Sequence, residues 1–327
     1  MSVLVLDYAD VERLLPMDEC IDVMADVLVA LARGEGFQPL RSVVRPPDAP
    51  GLIGLMPAYR GGERPAFGLK AINVVFDNPA RRALDTHQGA VLLSDGETGE
   101  LRAVLNASAI TEIRTAAVSG AATRALAREE ARELAILGAG VQARSHLHAM
   151  AAVHPFACAR IYSRSAEHAR QLAQDADVQF PVEAVASAEE AVRGADVVVT
   201  ATSSPEPVVR REWIADGAHI NAVGACFPHT RELDGATVAA ATLVVDRRES
   251  AEHEAGDYLL AVEEGAIGRG HIHAELGEVL AGISPGRTSA REITLFKSLG
   301  IAIEDLAAAD HVVRKAREQG LGAEVSF

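Results

Sequence analysis

Lys70 lies in the run Phe-Gly-Leu-Lys-Ala-Ile-Asn-Val-Val-Phe, an almost uncharged stretch that reads as a strand. Arg114 lies among small residues in Ile-Thr-Glu-Ile-Arg-Thr-Ala-Ala-Val-Ser-Gly, and Arg41 opens the apolar run Arg-Ser-Val-Val-Arg. The chain holds 31 basic residues, of which only Lys70, Lys297 and Lys315 are lysines. Arginine therefore supplies the surface positive charge, and a lysine in an apolar strand stands out. Burial shifts a lysine's pKa and suits it to proton chemistry. Three cations facing one cleft would bind a carboxylate, with Arg able to do so bidentately. The alternative is three separately solvated or ion-paired residues.

A second set lies in the middle of the chain. The run Glu133-Leu-Ala-Ile-Leu-Gly138-Ala-Gly140-Val-Gln-Ala143 places a G-x-G-x-x-A turn between an apolar strand and a helical pattern. The first glycine makes the tight turn, the second lets the backbone approach a pyrophosphate, and the small third residue lets helix and strand pack closely. Free N–H groups at the helix N-terminus then favour the negative charge. The spacing predicts that Gly138, Gly140, Val141 and Gln142 bind a dinucleotide. The next apolar run ends in Ser163-Arg164-Ser165, where an NAD site usually carries Asp or Glu for the ribose 2′-hydroxyl. Arg between two hydroxyls suits a 2′-phosphate, so NADP(H) is favoured over NAD(H). The alternative is that Arg164 is a solvated surface charge.

The elements that must position these residues divide into two patterns. Beyond the glycine turn, apolar strands at 159–163, 195–200, 219–223 and 241–246 alternate with helical stretches such as 166–174 and 188–193. That alternation predicts an α/β domain, a Rossmann doubly wound parallel sheet covered on both faces. Before it come a short strand, a helix near 18–33 with Ile21, Met24, Ala25, Leu28 and Leu31 at helical spacing, and strands at 41–45, 51–57, 67–76, 89–94 and 101–105. This half reads as α+β with a mainly antiparallel sheet. Residues 106–126 read as a helix with Ser108 or Thr111 as N-cap. A last helix near 303–319 packs back on the first domain and makes it discontinuous. The expected division is a substrate-binding and dimerisation domain of residues 1–112 and 306–327, around a dinucleotide-binding domain of residues 113–305.

Composition narrows the partners. A chain of 327 residues with 49% hydrophobic residues can bury a substantial core, and its mean hydropathy is +0.11. No apolar run approaches the roughly 20 residues needed to span a bilayer. The N-terminal Met-Ser-Val-Leu-Val-Leu-Asp lacks the basic start and long apolar run of a signal peptide. Cys20, Cys158 and Cys226 are too few and too scattered for a disulfide framework or a metal cluster. A cytoplasmic protein is expected. The net charge of −15 argues against nucleic acid or an anionic membrane as partner.

Eight segments carry a resemblance: Leu40-Arg-Ser42, Gly68-Leu-Lys-Ala71, Thr86-His-Gln-Gly89, Thr111-Glu-Ile-Arg-Thr-Ala116, Gly138-Ala-Gly-Val-Gln142, Asn221-Ala-Val-Gly224, Arg231-Glu-Leu-Asp234 and Phe296-Lys-Ser-Leu-Gly-Ile-Ala-Ile-Glu-Asp305. In this order they resemble the ornithine cyclodeaminase/μ-crystallin family over almost the whole chain. The resemblance implies a homodimer whose N-terminal halves pair their sheets. It implies that Arg41, Lys70 and Arg114 grip a substrate carboxylate, and that Thr86, His87, Arg114 and Thr115 approach the nicotinamide and phosphates. Ser163, Arg164, Ser165 and His168 would hold the adenosine phosphate, and Thr202, Ser203, Val223 and Ser298 would line the cofactor. Glu254 matches an acidic residue near the substrate, and Met56, Phe227 and His229 would wall the pocket.

One departure bears on the reaction. Cyclodeaminases of the family carry an Asp shortly after the Asn-x-x-Gly turn, and here Cys226 falls at that place. Deamination with ring closure needs a carboxylate base, and a thiol with a pKa of about 8.5 is a poor substitute. Cys226 otherwise reads as a small core residue beside the substrate. The expected function is an NAD(P)H-dependent oxidoreductase that reduces a small imine carboxylate, of ketimine or pyrroline-2-carboxylate type, to an amino acid. An ordered water, Lys70 or His87 would deliver the proton. The alternatives are ornithine cyclodeamination with Glu254 in place of the missing Asp, an alanine dehydrogenase-like activity, and a μ-crystallin-like ligand store.

Overall fold

The computed structural model describes residues 2–327, the side chains of Pro79 and Ala80 excepted. The chain opens with β1 (Ser2–Leu6), α1 (Tyr8–Leu14), α2 (Met17–Ala32), β2 (Gly36–Phe37), β3 (Ser42–Val44), β4 (Leu52–Arg60), β5 (Ala66–Val74), α3 (Asn78–Arg82), β6 (His87–Asp95), β7 (Leu101–Asn106) and α4 (Ala107–Leu126). There follow β8 (Glu133–Leu137), α5 (Val141–Val153), β9 (Cys158–Tyr162), α6 (Ala166–Gln174), β10 (Val182–Ala184), α7 (Ala188–Val192), β11 (Val197–Thr200), β12 (His219–Ala222), α8 (Gly235–Ala240) and β13 (Ala241–Val245). The chain ends with α9 (Arg248–Glu254), α10 (Gly256–Glu263), β14 (Ile272–Glu275), α11 (Leu276–Leu280), β15 (Ile293–Lys297), α12 (Ala302–Gln319) and β16 (Ala323–Ser326). Two compact units result, one of Met1–Arg114 with Gly300–Phe327 and one of Thr115–Leu299.

In the first unit the sheet runs β16-β1-β7-β6-β5-β4-β2, with β3 also on β4. Only β1 and β7 pair in parallel; the other pairs are antiparallel. Period-two alternation along β5 buries Ala66, Gly68, Lys70 and Ile72 on one face and turns Phe67 and Asn73 outward. Helix α12 packs on β4, β5 and α2, and Leu306 lies against Gly68. The apolar stripe of α2 (Ile21, Met24, Leu28) is buried here, each such side chain contributing ~1.5–3 kcal/mol. The alternation thus fixes Lys70 in the face that α12 covers.

Two local expectations are corrected. The cap of α4 is neither Ser108 nor Thr111 but Asn106, whose Oδ1 accepts the Ala109 N–H at 3.0 Å. Ser108 instead bonds the His87 carbonyl, and Thr111 faces Lys70. Arg41 does not open an apolar strand, since β3 begins at Ser42 and its three residues are exposed.

In the second unit eight parallel strands run in the order β10-β9-β8-β11-β12-β15-β13-β14. The order reverses between β8 and β11, and such a switch point opens a crevice at the carboxyl ends of the strands. Strand β15 was not expected; its Ile-Thr-Leu-Phe run, buried at every position, reads equally well as the approach to a helix. Among the described residues no helix is long and apolar enough to cross a membrane.

Candidate active site

In the first unit the cations gather on one short segment. Lys70 Nζ donates to Asp305 Oδ1 at 2.9 Å and lies 3.3 Å from Thr111 Oγ1. Arg114 follows Thr111 by about one turn of α4, and its Nε donates to Asp305 Oδ1 at 2.8 Å while Nη1 donates to Glu304 Oε2 at 2.7 Å. Arg41 Nη2 donates to the Gly300 carbonyl at 3.0 Å. Segment 300–305 therefore anchors all three cations named by the sequence. Glu304 and Asp305 stand in the first turn of α12, where the helix dipole favours carboxylates.

Lys70, Arg114, Glu304 and Asp305 are all buried. Burial, with Arg114 beside it, lowers the Lys70 pKa to about 8 against the pull of Asp305. Two buried carboxylates and a backbone carbonyl thus hold the three cations on one short segment. Met56 stands opposite Lys70 on β4 and is buried beside it. Half-buried Thr86 precedes His87, the first residue of β6. The protein around the His87 ring, then the charges of Lys70 and Arg114, lower its pKa. Because His87 is exposed in the single chain, the two charges are the firmer cause.

In the second unit the loop after β8 has the form a dinucleotide needs. Gly138 has φ +119°, and a Cβ there would lie 2.3 Å from the Ala201 carbonyl, so only glycine fits. Gly140 differs: it caps α5, and no atom lies within 4 Å of where its Cβ would be. The space before that helix N-terminus is open for a phosphate. Val141 is exposed and Ala143 fully buried against the sheet. Ser163 and Ser165 are half-buried around exposed Arg164. Ser165 Oγ caps α6 by accepting the N–H of exposed His168 and keeps its own O–H to donate.

Thr202 and Ser203 follow β11, Val223 follows β12 and Ser298 follows β15, three adjacent strands. Ser298 is 1% exposed, and its Oγ has no hydrogen-bond partner. The open space at Gly140 and this orphaned hydroxyl fit a dinucleotide laid along the strand ends. Thr115 opens this unit, buried on α4. Cys226 is half-buried with Sγ 3.4 Å from the Val223 carbonyl, Phe227 stacks on His229, and half-buried Glu254 ends α9.

Comparison with known proteins identifies the family. Residues 1–320 match the ornithine cyclodeaminase/mu-crystallin family. The chain belongs to that family. Within it, the chain is 43% identical to the ketimine reductase mu-crystallin of Mus musculus over 276 residues, 84% of each protein. It is also similar to the Thermococcus litoralis Delta(1)-pyrroline-2-carboxylate reductase solved with NADH and L-proline. That likeness has a TM-score of 0.95 and 38% identity over 99% of this chain and 100% of the other. An archaeal alanine dehydrogenase dimer with bound NAD gives a TM-score of 0.94 and 35% identity, with both chains fully covered.

Sequence reasoning missed several buried polar residues in each unit. Glu304 and Asp305 were visible only as part of a motif. Acidic residues at a helix start read as ordinary dipole complements, and nothing local says that they pair with Arg114 and Lys70. Lys297 carried much the same signal as Lys70, a lysine in an apolar strand, here at its end. It is 1% exposed, donates to the Ala222 carbonyl at 3.2 Å and lies 3.1 Å from Asp257. His146, fully buried, joins the Gln142 carbonyl at 2.7 Å to Ser119 Oγ at 3.0 Å and so steadies the first turn of α5. Burial lowers its pKa to about 4, so its ring is neutral at physiological pH.

Proposed function

We propose that the chain is an NAD(P)H-dependent imine reductase acting on a small carboxylated imine, of the cyclic ketimine or pyrroline-2-carboxylate kind. The observation that carries this reading is the buried cluster of Lys70 and Arg114, with Arg41 held by the same segment 300–305, a concentration of cationic groups of the kind that binds a carboxylate. Guanidinium groups such as those of Arg41 and Arg114 recognise carboxylates through charge-assisted hydrogen bonds. Lys70, with a pKa of about 8, can hold a proton near neutral pH and release it to an imine nitrogen. Bound NAD(P)H supplies the hydride to the imine carbon. Gly138, Gly140, Val141 and Gln142 would hold its pyrophosphate, and Thr202, Ser203, Val223 and Ser298 its nicotinamide half. In the reverse direction the same groups would oxidise an amino acid. The relative bound to NADH and L-proline supports this assignment, and a thiol at Cys226 favours reduction over cyclodeamination.

The finer readings belong with it. Exposed Arg164 between two serines favours NADPH over NADH. An open apolar groove on the first sheet, lined by Phe37, Pro57, Tyr59, Phe67, Leu69 and Leu92, supports a homodimer, as in the archaeal alanine dehydrogenase. A cytoplasmic location matches the scarcity of cysteines. The test is a substrate panel with NADPH and NADH: pyrroline-2-carboxylate, piperideine-2-carboxylate, pyruvate with ammonia, and ornithine. Fastest turnover of a cyclic imine with NADPH is expected. Ammonia release from ornithine without net NADPH oxidation would replace this reading with cyclodeamination.

A further inference from the structure

Glu232 lies in no strand or helix, yet it is fully buried at the carboxyl ends of the second sheet. Its Oε1 accepts the Thr202 N–H at 2.6 Å, and its Oε2 accepts the Gly224 N–H and the Thr200 hydroxyl, both at 2.7 Å. One carboxylate thus ties the loop after β11 to the loop after β12. Its own backbone is held in turn: Asp257 Oδ1 accepts the N–H of Glu232 at 2.7 Å and of Leu233 at 2.9 Å. Asp257 pairs with Lys297, which donates to the last carbonyl of β12. A single buried network therefore reaches the ends of β11, β12 and β15, the strands followed by Thr202, Val223 and Ser298.

A buried carboxylate needs this many partners to be tolerated. Burial and nearby Asp257 raise the Glu232 pKa, opposed by Lys297 and the Thr202 and Thr200 donors. For Lys297 burial works downward, but Asp257, Cys226 and Glu232 outweigh it and the net shift is upward. Packing alone would be served by apolar side chains. Three donors on one carboxylate instead fix the positions of two loops relative to each other.

We propose that Glu232 is a positioning residue for the nicotinamide half of the dinucleotide, acting through the backbones of Thr202 and Gly224. This rests on the reading that the loops after β11 and β12 hold that half. Glutamine at position 232 keeps the shape but turns an NH2 toward N–H groups that need an acceptor. The test measures binding of NADPH and of 2′-phospho-ADP-ribose, which lacks the nicotinamide, to wild type, Glu232→Gln and Thr200→Val, together with the thermal midpoint. In Glu232→Gln the NADPH Kd should rise at least about tenfold, the loss of a hydrogen bond to a charged group, while the truncated ligand should bind as it does to wild type. Thr200→Val, which removes one donor without changing volume, should show the same split at a few-fold. Equal Kd values in Glu232→Gln and wild type, or parallel loss of both ligands, would overturn the proposal. If Glu232→Gln does not fold, an unchanged NADPH Kd in Thr200→Val overturns it alone. A wild type that binds the truncated ligand as tightly as NADPH would instead remove the underlying reading.

Discussion

Lys70 Nζ and the Asp305 carboxylate lie 2.9 Å apart across 235 residues of sequence, and both side chains are within 2% of full burial. Asp305 also takes the Nε of Arg114, so one carboxylate sets the place of two cations. Asp305→Asn keeps the shape and removes the charge. Lys70 and Arg114 are then left under-compensated, and breaking a buried pair costs about 3–5 kcal/mol. The thermal midpoint should fall, and kcat/KM should drop at least about a hundredfold, because misplaced groups lose transition-state stabilisation. Unchanged kinetics in a folded Asp305→Asn protein would show that Asp305 does not organise the site.

The low pKa of Lys70 sets a pH limit on substrate binding. Burial first, then Arg114, brings that pKa to about 8. Below it the ammonium is present and attracts a carboxylate; as pH rises through it the charge and its attraction are lost. Stability moves the other way. The folded-state pKa is depressed from the ordinary lysine value of about 10.4, so the unfolded chain holds more protons between the two and this group's contribution to stability rises with pH there. The Kd of the amino-acid product, measured by quenching of bound-cofactor fluorescence, should therefore increase above about pH 8. A flat Kd up to pH 10 would mean that Lys70 stays charged or does not meet the carboxylate.

Much of this was legible from residue order, and the illegible part has one physical cause. The glycine turn is local: strand, turn and helix lie within one run, so Gly138 and Gly140 could be placed from spacing alone. Lys70 could be singled out because a charge in an apolar strand needs a reason. Its partners could not, because Asp305 comes from a helix at the far end of the chain and its local pattern is that of any helix start. Glu232 and Asp257 are obscure for the same reason, since each completes a contact whose other half lies on another strand end. Sequence patterns report periodicity along an element, whereas burial of a pair is a property of the tertiary fold.

The two glycines of the turn should respond oppositely to substitution. Gly138 combines φ +119° with a backbone oxygen 2.3 Å from any Cβ. Gly138→Ala meets both strain and collision and should destabilise the protein by at least ~1–3 kcal/mol. Gly140 has ordinary φ and open space before it. Gly140→Val should leave the thermal midpoint nearly unchanged yet weaken NADPH binding at least about tenfold, by filling the volume a pyrophosphate would take. Calorimetric unfolding and dinucleotide titration of the two variants check this; normal cofactor affinity in Gly140→Val would place the pyrophosphate elsewhere.

Arg164 gives the sharpest test of cofactor choice. It is exposed beside Ser165, whose hydroxyl caps α6, so a 2′-phosphate held there would also lie near the start of a helix. Removing one charged hydrogen-bonding partner costs ~1.5–3 kcal/mol, roughly a ten- to hundredfold loss. Arg164→Ala should therefore raise the NADPH Kd by about that factor and leave the NADH Kd within about twofold, since NADH presents only a neutral hydroxyl there. Arg164→Asp should go further and favour NADH, because a carboxylate repels the phosphate and accepts from the ribose hydroxyl. Parallel titrations of both cofactors decide the matter. If Arg164→Ala weakens both equally, the arginine supports the adenosine half in general and discriminates nothing.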